Sequence, residues 1–329
     1  MSSSLESIEA AITELEAQIE RVKRLTREQG VDRDTEIAAL EGEVRRLLGA
    51  AYSTLTPWEK TVVARNPRRP FALDFIRLIF SDFMELHGDR LTGEDGAMVG
   101  GIARLDDQEV MVIGHQKGRD AAERHKRNFG YAGPEGYRKA LRLMRLAEKF
   151  GRPIVCLVDT PGADCSVRSE ERGVSEAIAR NLHEMFRLRV PILVAITGEG
   201  GSGGALGIGV GDRVLMLEHA IYSVIAPEGC AAILWKDSKK GDQAADALQL
   251  TAQHACEMGI IHGIVPEPLG GAHRDFDATA RALGEALRAN LASLLAQPTP
   301  RLLDARYQHY RRLARFHDTG EAGRYDQTA

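Results

Sequence analysis

The sequence is poor in several features that would each indicate a whole class of protein. Aromatic residues make up only 5% of the 329 positions, which suits an α/β enzyme rich in small residues better than a β-sandwich. The four cysteines are scattered without a C-x-x-C pair, which fits a reducing cytoplasm and offers no zinc ribbon. No apolar run approaches the roughly 18 residues of a membrane-spanning helix, so none is expected.

The charge balance and the first residues exclude further classes. The formal net charge is −4, which argues against a general or specific nucleic-acid binder. The segment Met1-Ser-Ser-Ser-Leu-Glu lacks the apolar core of a signal peptide, so we expect a cytoplasmic protein without a membrane association. A length of 329 residues allows one large domain or two ordinary ones.

Glycine, by contrast, is plentiful at 33 positions, and one stretch concentrates it. The segment Pro191-Ile-Leu-Val-Ala-Ile-Thr-Gly-Glu-Gly-Gly-Ser-Gly-Gly-Ala205 is a buried-type apolar strand that continues directly into glycines. A single glycine here would indicate only a tight strand-to-helix turn. So many glycines in one segment leave the main chain almost without side-chain cover, and its N–H groups can then reach a reacting oxygen. We therefore expect a site lined by backbone donors.

Three known motifs overlap in this segment, and none is specific by itself. Gly198-x-Gly200-x-x-Gly203 satisfies the dinucleotide fingerprint, and Glu218 follows at a suitable distance. Three further glycines disfavour the crossover helix that such a site needs, namely Gly207, Gly209 and Gly211. A phosphate-binding loop is excluded because Gly204-Ala205 stands where Lys-Ser or Lys-Thr is required.

The third motif is a nucleophile elbow, Gly200-x-Ser202-x-Gly204. A serine hydrolase would use Ser202 as its nucleophile and would need a histidine as base. Four histidines later in the chain are candidates, namely His219, His254, His262 and His273. The hydrolase interpretation therefore stays open at this point.

The first 52 residues differ from the rest in their periodicity. Apolar residues recur three and four positions apart in two stretches, with a break at residues 30–34, which predicts an antiparallel helical hairpin. Its charged faces are either solvated surface or part of a subunit-docking arm. Thr56-Pro-Trp-Glu59 then supplies an N-cap, a proline at the first helical position and a glutamate two residues later. A further amphipathic helix is expected over residues 71–86.

From about residue 97 the chain alternates predicted strands and helices. Residues 98–105 and 109–115 read as paired strands, and Pro134-Glu-Gly-Tyr137 opens a helix that ends near Gly151. Strands at 154–158 and 192–196 are separated by a predicted helix over 169–189. If these two strands are parallel, the turns that follow them share one edge of the sheet, where α/β proteins bind ligands. The sequence thus predicts a cleft between residues 159–172 and 198–205.

A cluster of cations follows the strand that ends at His115. It contains Lys117, Arg119, Arg124, Lys126 and Arg127. Such a run is either a solvated charged loop or a site for a phosphate-rich substrate, because several flexible cations suit a multiply charged anion.

Long strings in the chain resemble the alpha subunit of the bacterial acetyl-CoA carboxylase carboxyltransferase. The strings include Arg65-Asn-Pro-Arg-Arg-Pro70, Gly114-His-Gln-Lys-Gly-Arg119, Pro134-Glu-Gly-Tyr-Arg-Lys-Ala-Leu-Arg-Leu143, Asp159-Thr-Pro-Gly-Ala163, Gly198-Glu-Gly-Gly-Ser-Gly-Gly-Ala-Leu206 and Pro266-Glu-Pro-Leu-Gly-Gly-Ala-His-Arg274. They run from about residue 50 to residue 275, and several are peculiar to that family.

The resemblance implies a fold and a set of partners. It implies an α/β fold of the crotonase-like (ClpP/crotonase) type, a spiral of ββα units, rather than a doubly wound sheet. The expected divisions are a helical hairpin arm (1–52), a carboxyltransferase domain (53–296) and a C-terminal helical tail (297–329). The expected partners are a beta subunit carrying a zinc ribbon, in an alpha2-beta2 assembly, the biotin carboxyl carrier protein and biotin carboxylase. No metal or tightly bound cofactor is expected on this chain.

The implied reaction moves a carboxyl group from carboxybiotin on the carrier protein to acetyl-CoA. It yields malonyl-CoA, in the first committed step of fatty acid synthesis. The resemblance and the glycine run together assign the oxyanion hole for the ureido oxygen of biotin to Gly203, Gly204 and Ala205. The expected biotin-binding residues are Gly162, Ala163, Asp164, Gly200 and Gly201, and the expected acyl-CoA phosphate contacts are Lys117, Arg119 and Arg127.

The chain departs from the family pattern in one loop. After Asp159-Thr-Pro-Gly-Ala163 the family usually continues Tyr-Pro-Gly, whereas this chain has Asp164-Cys-Ser166. A Gln of the pattern is also replaced, by Val174. An aromatic ring and a proline are lost and a carboxylate is gained beside the expected biotin pocket. A catalytically weakened scaffold subunit is therefore a second alternative to the enzyme, besides the hydrolase.

Overall fold

The computed structural model describes residues 4–29 and 32–313, and it begins with the predicted helical hairpin. Helix α1 spans Ser4–Gln29 and helix α2 spans Asp34–Tyr52. The two helices are antiparallel, because Tyr52 Oη donates a hydrogen bond to Glu9 while Lys23 pairs with Glu41. Their apolar faces form a separate core that includes Ile12 and Leu48. The hairpin prediction is confirmed.

The next segment is helical only in part. Helix α3 (Pro57–Ala64) begins with the predicted capping box, in which Thr56 and Glu59 bond reciprocally. Helix α4 spans Ala72–Ile79, but strand β1 follows at Ser81–Glu85. The prediction of one helix over residues 71–86 is therefore wrong in its second half. Strand β1 pairs antiparallel with its neighbour in the sheet, and this tertiary pairing overrides the local helical pattern.

One sheet forms the centre of the body. The remaining strands are β2 (Met98–Leu105), β3 (Gln108–His115), β4 (Ile154–Thr160), β5 (Ile192–Gly201), β6 (Arg213–Leu217), β7 (Ile221–Ser223) and β8 (Gly263–Val265). Their order is β1-β2-β3-β4-β5-β6-β8, with β7 paired to the end of β5. The first three strands are antiparallel and the later pairings are parallel. The α/β class and the paired strands at residues 98–115 are thus as predicted.

Helices cover the sheet and connect its strands. They are α5 (Ala121–Lys126), α6 (Pro134–Lys149), α7 (Val167–Glu171), α8 (Val174–Met185), α9 (Ser202–Leu206), α10 (Pro227–Trp235), α11 (Gly241–Leu248), α12 (Ala252–Glu257), α13 (Phe276–Leu295) and α14 (Thr299–Arg311). The single helix predicted over residues 169–189 is wrong, because α7 and α8 are separated at Gly173. That glycine has φ 79°, a left-handed conformation that interrupts a helix.

The last described helix is tied to the sheet. Arg306 on α14 is fully buried, and its guanidinium pairs with Asp212 at 2.7 Å while donating to three main-chain carbonyls. Leu302 of the same helix belongs to the main core. The remainder of the predicted C-terminal tail, residues 314–329, lies outside the described residues. None of the helices in the described ranges is long and apolar enough to cross a membrane.

Candidate functional site

The turns after β4 and β5 meet at one edge of the sheet, as the sequence predicted for parallel strands. The two strands pair in parallel register from Ile154 with Ile192 to Thr160 with Gly200. A Cβ on Gly204 would lie 2.5 Å from Ala163 N and would overlap the carbonyl of Gly162. The two turns therefore touch backbone to backbone, and this contact requires a glycine at position 204.

We call residues 198–205 the glycine turn, and most of its glycines are required by similar contacts. A Cβ on Gly201 would overlap the carbonyl of Pro161, and one on Gly198 would overlap the carboxylate of Asp159. One on Gly200 would lie 2.7 Å from the ring of Tyr222. Gly203 is the exception, since a Cβ there would meet nothing closer than Ile178 Cδ1 at 3.8 Å. Close packing against main chain at Gly201 and Gly204, and against side chains at Gly198 and Gly200, thus explains the glycine run at all these positions except Gly203.

Helix α9 starts inside the glycine turn. Strand β5 continues as far as Gly201, where it pairs with Ser223 of β7, and α9 begins at the next residue. Ser202 has φ 52°, a left-handed conformation that turns the chain sharply out of the strand. The first four N–H groups of a helix have no acceptor within it. Those of Gly203, Gly204 and Ala205 are therefore available as donors at the place where the two turns meet.

Fixed side chains hold both turns from behind. Tyr137 Oη donates to the carbonyl of Gly204 at 3.1 Å. Thr160 Oγ1 lies 2.7 Å from the carbonyl oxygens of both Gly130 and Gly162, which share its single proton, and it accepts from the N–H of Gly162. These bonds hold the main chain at Gly130, Gly162 and Gly204 in place. The site can stabilise a developing negative charge with groups that need no reorganisation.

A buried ion-pair network lies at the same edge. Lys117 Nζ lies 2.8 Å from Asp159 and 2.7 Å from Glu199, and Arg65 Nε lies 2.7 Å from the other oxygen of Glu199. Arg65 also pairs with Glu228 on α10 at 2.5 Å. Burial raises the pKa of Glu199, but Lys117 and Arg65 outweigh it, so that pKa lies below its ordinary value. Burial lowers the pKa of Lys117, yet Asp159 and Glu199 hold it above the ordinary value, so both groups stay charged.

A cavity of about 440 Å³ opens beside this network. Its walls combine apolar rings with charged side chains. They include Arg65, Phe71, Lys117, Arg124, Phe129, Tyr131, Pro161 and Glu199. Tyr131 also lines a second, more polar cavity of about 630 Å³. Both cavities border the turn that follows β4, which contributes Pro161 to the first and Asp164 to the second.

Asp164 lines the second cavity, and its own loop binds its carboxylate. The carboxylate accepts from Ser166 N and Oγ, at 3.1 and 2.9 Å, and from Ser169 Oγ at 2.5 Å. Burial raises the pKa of Asp164, but the bonds from Ser169 and Ser166 outweigh it and hold the pKa below its ordinary value. We call residues 163–169 the Asp164 loop. The hydrogen bonds to its carboxylate restrain this loop.

The three cations expected to contact acyl-CoA phosphates each have a partner within the chain. Lys117 is in the network described above. Arg119 pairs with Asp74 and lies over the rings of Phe71 and Phe276. Arg127 donates to the carbonyl of Gly96 at 3.0 Å. Their contact with a phosphate stays a prediction, and a phosphate would have to compete with these partners.

The geometry gives no support to the hydrolase interpretation. Within the described ranges Ser202 Oγ makes no hydrogen bond to a histidine. Of the four candidate bases, His254 bonds to Thr251, His262 accepts from the N–H of Val214, and His219 packs against the ring of Tyr52. His273 lies among arginines, and burial lowers its pKa to about 4. The nucleophile-elbow motif is thus present without a base.

Reasoning from the sequence missed several residues of this site. Arg65 entered only as part of a longer string, Glu228 was not considered, and Glu199 was treated as a spacer between glycines. One signal was present, since a lone carboxylate in a buried strand end requires a cation. Which cation supplies it depends on the fold, because Arg65 and Lys117 are 134 and 82 positions away in sequence.

Sequence comparison gives the family. The sequence profile described as acetyl co-enzyme A carboxylase carboxyltransferase-like matches residues 5–314. A relative from Geobacter metallireducens, named acetyl-coenzyme A carboxylase carboxyl transferase subunit alpha, is 55% identical over 308 residues, which is 94% of this chain and 96% of the relative. A relative of the same name from Methylococcus capsulatus is 54% identical over 300 residues, covering 91% of this chain and 94% of its own length.

Solved structures with the same fold are more distant in sequence. A Pseudomonas malonate decarboxylase hetero-tetramer in complex with coenzyme A matches with a TM-score of 0.59 at 17% identity, covering 73% of this chain and 94% of that one. Transcarboxylase 12S matches with a TM-score of 0.53 at 19% identity, covering 65% and 41%. These neighbours confirm the predicted crotonase-like fold. The chain belongs to the acetyl-CoA carboxylase carboxyltransferase alpha subunit family.

Proposed function

We propose that this chain, together with a beta subunit, transfers a carboxyl group from carboxybiotin to acetyl-CoA and so forms malonyl-CoA. The observation that carries the proposal is the backbone contact of Gly201 and Gly204 with the turn after β4, at the start of α9, where the proposed donors Gly203, Gly204 and Ala205 lie. Carboxybiotin, on its carrier protein, and acetyl-CoA are substrates in this scheme. The chain itself is proposed to need no bound metal.

The chemistry explains why the site consists of main-chain donors. When the carboxyl group leaves biotin, negative charge collects on the ureido oxygen. N–H groups already aimed at that oxygen stabilise the charge, and losing one such donor typically costs about 10²–10³ in rate. The residues Gly162, Ala163, Gly200 and Gly201 are proposed to shape the pocket for the ring system. Once charged, the ureido group can take the proton from the methyl carbon of acetyl-CoA, so no histidine base is required.

The acetyl-CoA side is proposed to lie mainly on the beta subunit. The thioester oxygen becomes enolate-like during transfer and needs a second set of donors, which we assign to that partner together with the zinc ribbon. Arg119 and Arg127 are this chain's candidates for phosphate contacts, and Lys117 is a weaker one because Asp159 and Glu199 already bind its ammonium group. Their internal partners mean that they would contribute less than free cations.

An exposed apolar patch supports the proposal that the chain works as a subunit. Ile233 and Leu234 are 66% and 63% exposed and are followed by Trp235 at the end of α10, and Val224, which precedes that helix, is 74% exposed. Ala226, which precedes α10, lines the wall of the 440 Å³ cavity. Exposed apolar groups that lie together commonly mark a protein interface. We propose that this face packs against the beta subunit, and that the carrier protein and biotin carboxylase join the same complex.

Reconstitution with the partner tests the proposed function. The chain and a zinc-ribbon beta subunit are purified separately and mixed, and malonyl-CoA formation from carboxybiotin and acetyl-CoA is measured for each and for the mixture. We expect co-elution of the two chains and turnover only in the mixture. Turnover by this chain alone would contradict the proposal. Co-elution of the two chains without turnover would also contradict it and would indicate a scaffold subunit.

A further inference from the structure

We propose that the buried ion-pair network positions the glycine turn for carboxyl transfer, and that Glu199, Lys117 and Asp159 are positioning residues. The inference rests on the proposed function and adds to it residues that touch no reacting atom. The network consists of these three side chains with Arg65 and its outer partner Glu228.

The first argument is the place of Glu199 in the strand. Of residues 198–201 it alone has a side chain, so the end of β5 has no other side-chain anchor of its own. Its carboxylate is 9% exposed and lies between two cations, and its N–H donates to Asp159 at 2.9 Å. The glycines allow close backbone contact but supply no side chain to hold it. Glu199 supplies that hold.

The second argument is that the network ties three consecutive strand ends together. Lys117 follows β3, Asp159 lies in the last part of β4, and Glu199 lies near the end of β5. Lys117 Nζ bridges the two carboxylates at 2.8 and 2.7 Å. The donors of the glycine turn and the backbone of residues 162 and 163 both lie within six positions in sequence of these ion pairs. A change in the pairs therefore moves one turn relative to the other.

The third argument separates positioning from proton transfer. The pKa of Lys117 is raised and that of Glu199 is lowered, so both side chains are stabilised in their charged forms and neither exchanges a proton readily near neutral pH. A group that acts as general acid or base needs a pKa near the working pH. Misplacing reacting groups by about 1 Å can cost roughly 10²-fold in rate, so a fixed arrangement of turns is itself a large contribution.

The experiment uses the assembled enzyme with Glu199→Gln, Lys117→Met and Lys117→Arg. The matched control is Asp212→Asn, which removes a charge from the buried pair of Asp212 with Arg306. This pair lies at the start of β5, where Asp212 accepts from the N–H of Ile192 at 2.7 Å, and the glycine turn lies at the end of the same strand. Four quantities are measured: kcat, KM for acetyl-CoA, the melting temperature, and amide hydrogen exchange of residues 198–206. The exchange measurement does not depend on activity.

We expect Glu199→Gln and Lys117→Met to lower kcat by about 10- to 100-fold, with KM for acetyl-CoA changed by less than about twofold. Exchange in residues 198–206 should rise, and Lys117→Arg should recover most of the rate. Asp212→Asn should lower the melting temperature and leave kcat within about twofold of the wild type.

Two outcomes would overturn the inference. One is a lower melting temperature in Glu199→Gln with unchanged kcat and unchanged exchange, which would make the network purely structural. The other is a Lys117→Met enzyme that loses affinity for acetyl-CoA at unchanged kcat, which would make Lys117 a substrate contact. If the wild-type complex forms no malonyl-CoA, the proposed function fails, whereas the exchange data still decide whether Glu199 holds the turn.

Discussion

The glycine turn and the Asp164 loop follow neighbouring parallel strands at one edge of the sheet, yet they are held in different ways. In the glycine turn, main chain packs on main chain, and a Cβ at Gly201 or Gly204 would overlap the backbone of residues 161–163. In the Asp164 loop, one carboxylate accepts three hydrogen bonds from Ser166 and Ser169. Backbone packing allows only glycine, whereas a loop held by a side chain can change its residues. The departure from the family pattern lies in the loop.

This difference changes the role expected of Asp164. From the sequence, a carboxylate beside the biotin pocket should repel a developing anion, by about 4 kcal/mol at 4 Å for an effective dielectric of about 20. Here the charge is bound by hydroxyl and amide donors of its own loop. We therefore expect the loop to weaken carrier handling modestly rather than to abolish transfer.

The largest effect should come from Gly204→Val. Its side chain would overlap the carbonyl of Gly162 and separate the two turns. Carboxyl transfer by the assembled enzyme should fall by at least about 10²–10³-fold, and the melting temperature should fall as well. Gly203→Ala is the stability control, because its Cβ meets nothing closer than 3.8 Å. A Gly204→Val enzyme with normal stability would show that backbone packing does not fix this turn.

Restoring Tyr, Pro and Gly at positions 164–166 should have a smaller effect of opposite sign. The change removes a charge, which at a partly exposed site is worth about 1 kcal/mol or less, and it restores the ring and the proline. The apparent KM for the carrier should fall, or turnover should rise, by up to about fivefold, while KM for acetyl-CoA barely moves. The variant Asp164→Asn removes the charge without restoring the aromatic ring, so it distinguishes the effect of the charge from that of the ring. An improvement confined to acetyl-CoA kinetics would mean that the loop does not face biotin.

Acid should loosen the Asp164 loop. The pKa of Asp164 in the folded protein lies below the ordinary value of 3.8. The ionised carboxylate therefore stabilises the loop fully above pH 3.8, and this stabilisation is lost as the pH falls through the pKa of the folded state. Amide exchange of residues 163–169, corrected for the intrinsic rate, should therefore increase below about pH 4. In Asp164→Asn the same residues should show no such pH dependence. An equal acid response in that variant would show that another group holds the loop.

The smallest effect is expected for Ser202→Ala. The hydroxyl has no assigned role in transfer, and both residues meet the same cost at the left-handed φ of 52°. Activity should stay within about threefold of the wild type. Loss of activity in this variant, or labelling of Ser202 by a fluorophosphonate, would revive the hydrolase interpretation.

The sequence predicts those parts of the molecule that local patterns determine. The periodicity of the hairpin, the capping box at Thr56 and the apolar runs at 154–158 and 192–196 each predicted the helix or strand that the structure shows. Strand β1 and the break at Gly173 were missed, because pairing with β2 and a left-handed glycine decide them. The glycine turn was recognised, but as a set of donors. That its glycines also admit a neighbouring main chain depends on the parallel register of β4 and β5.

The most direct test of the central claim is a structure of the assembled enzyme with a carboxybiotin analogue bound. The measured quantity is the distance from the ureido oxygen to the main-chain nitrogens of Gly203, Gly204 and Ala205. We predict at least one distance of about 2.7–3.1 Å, with the ring system against the turn after β4. A ureido oxygen bound only by the partner subunit, or by side chains away from the glycine turn, would contradict the account.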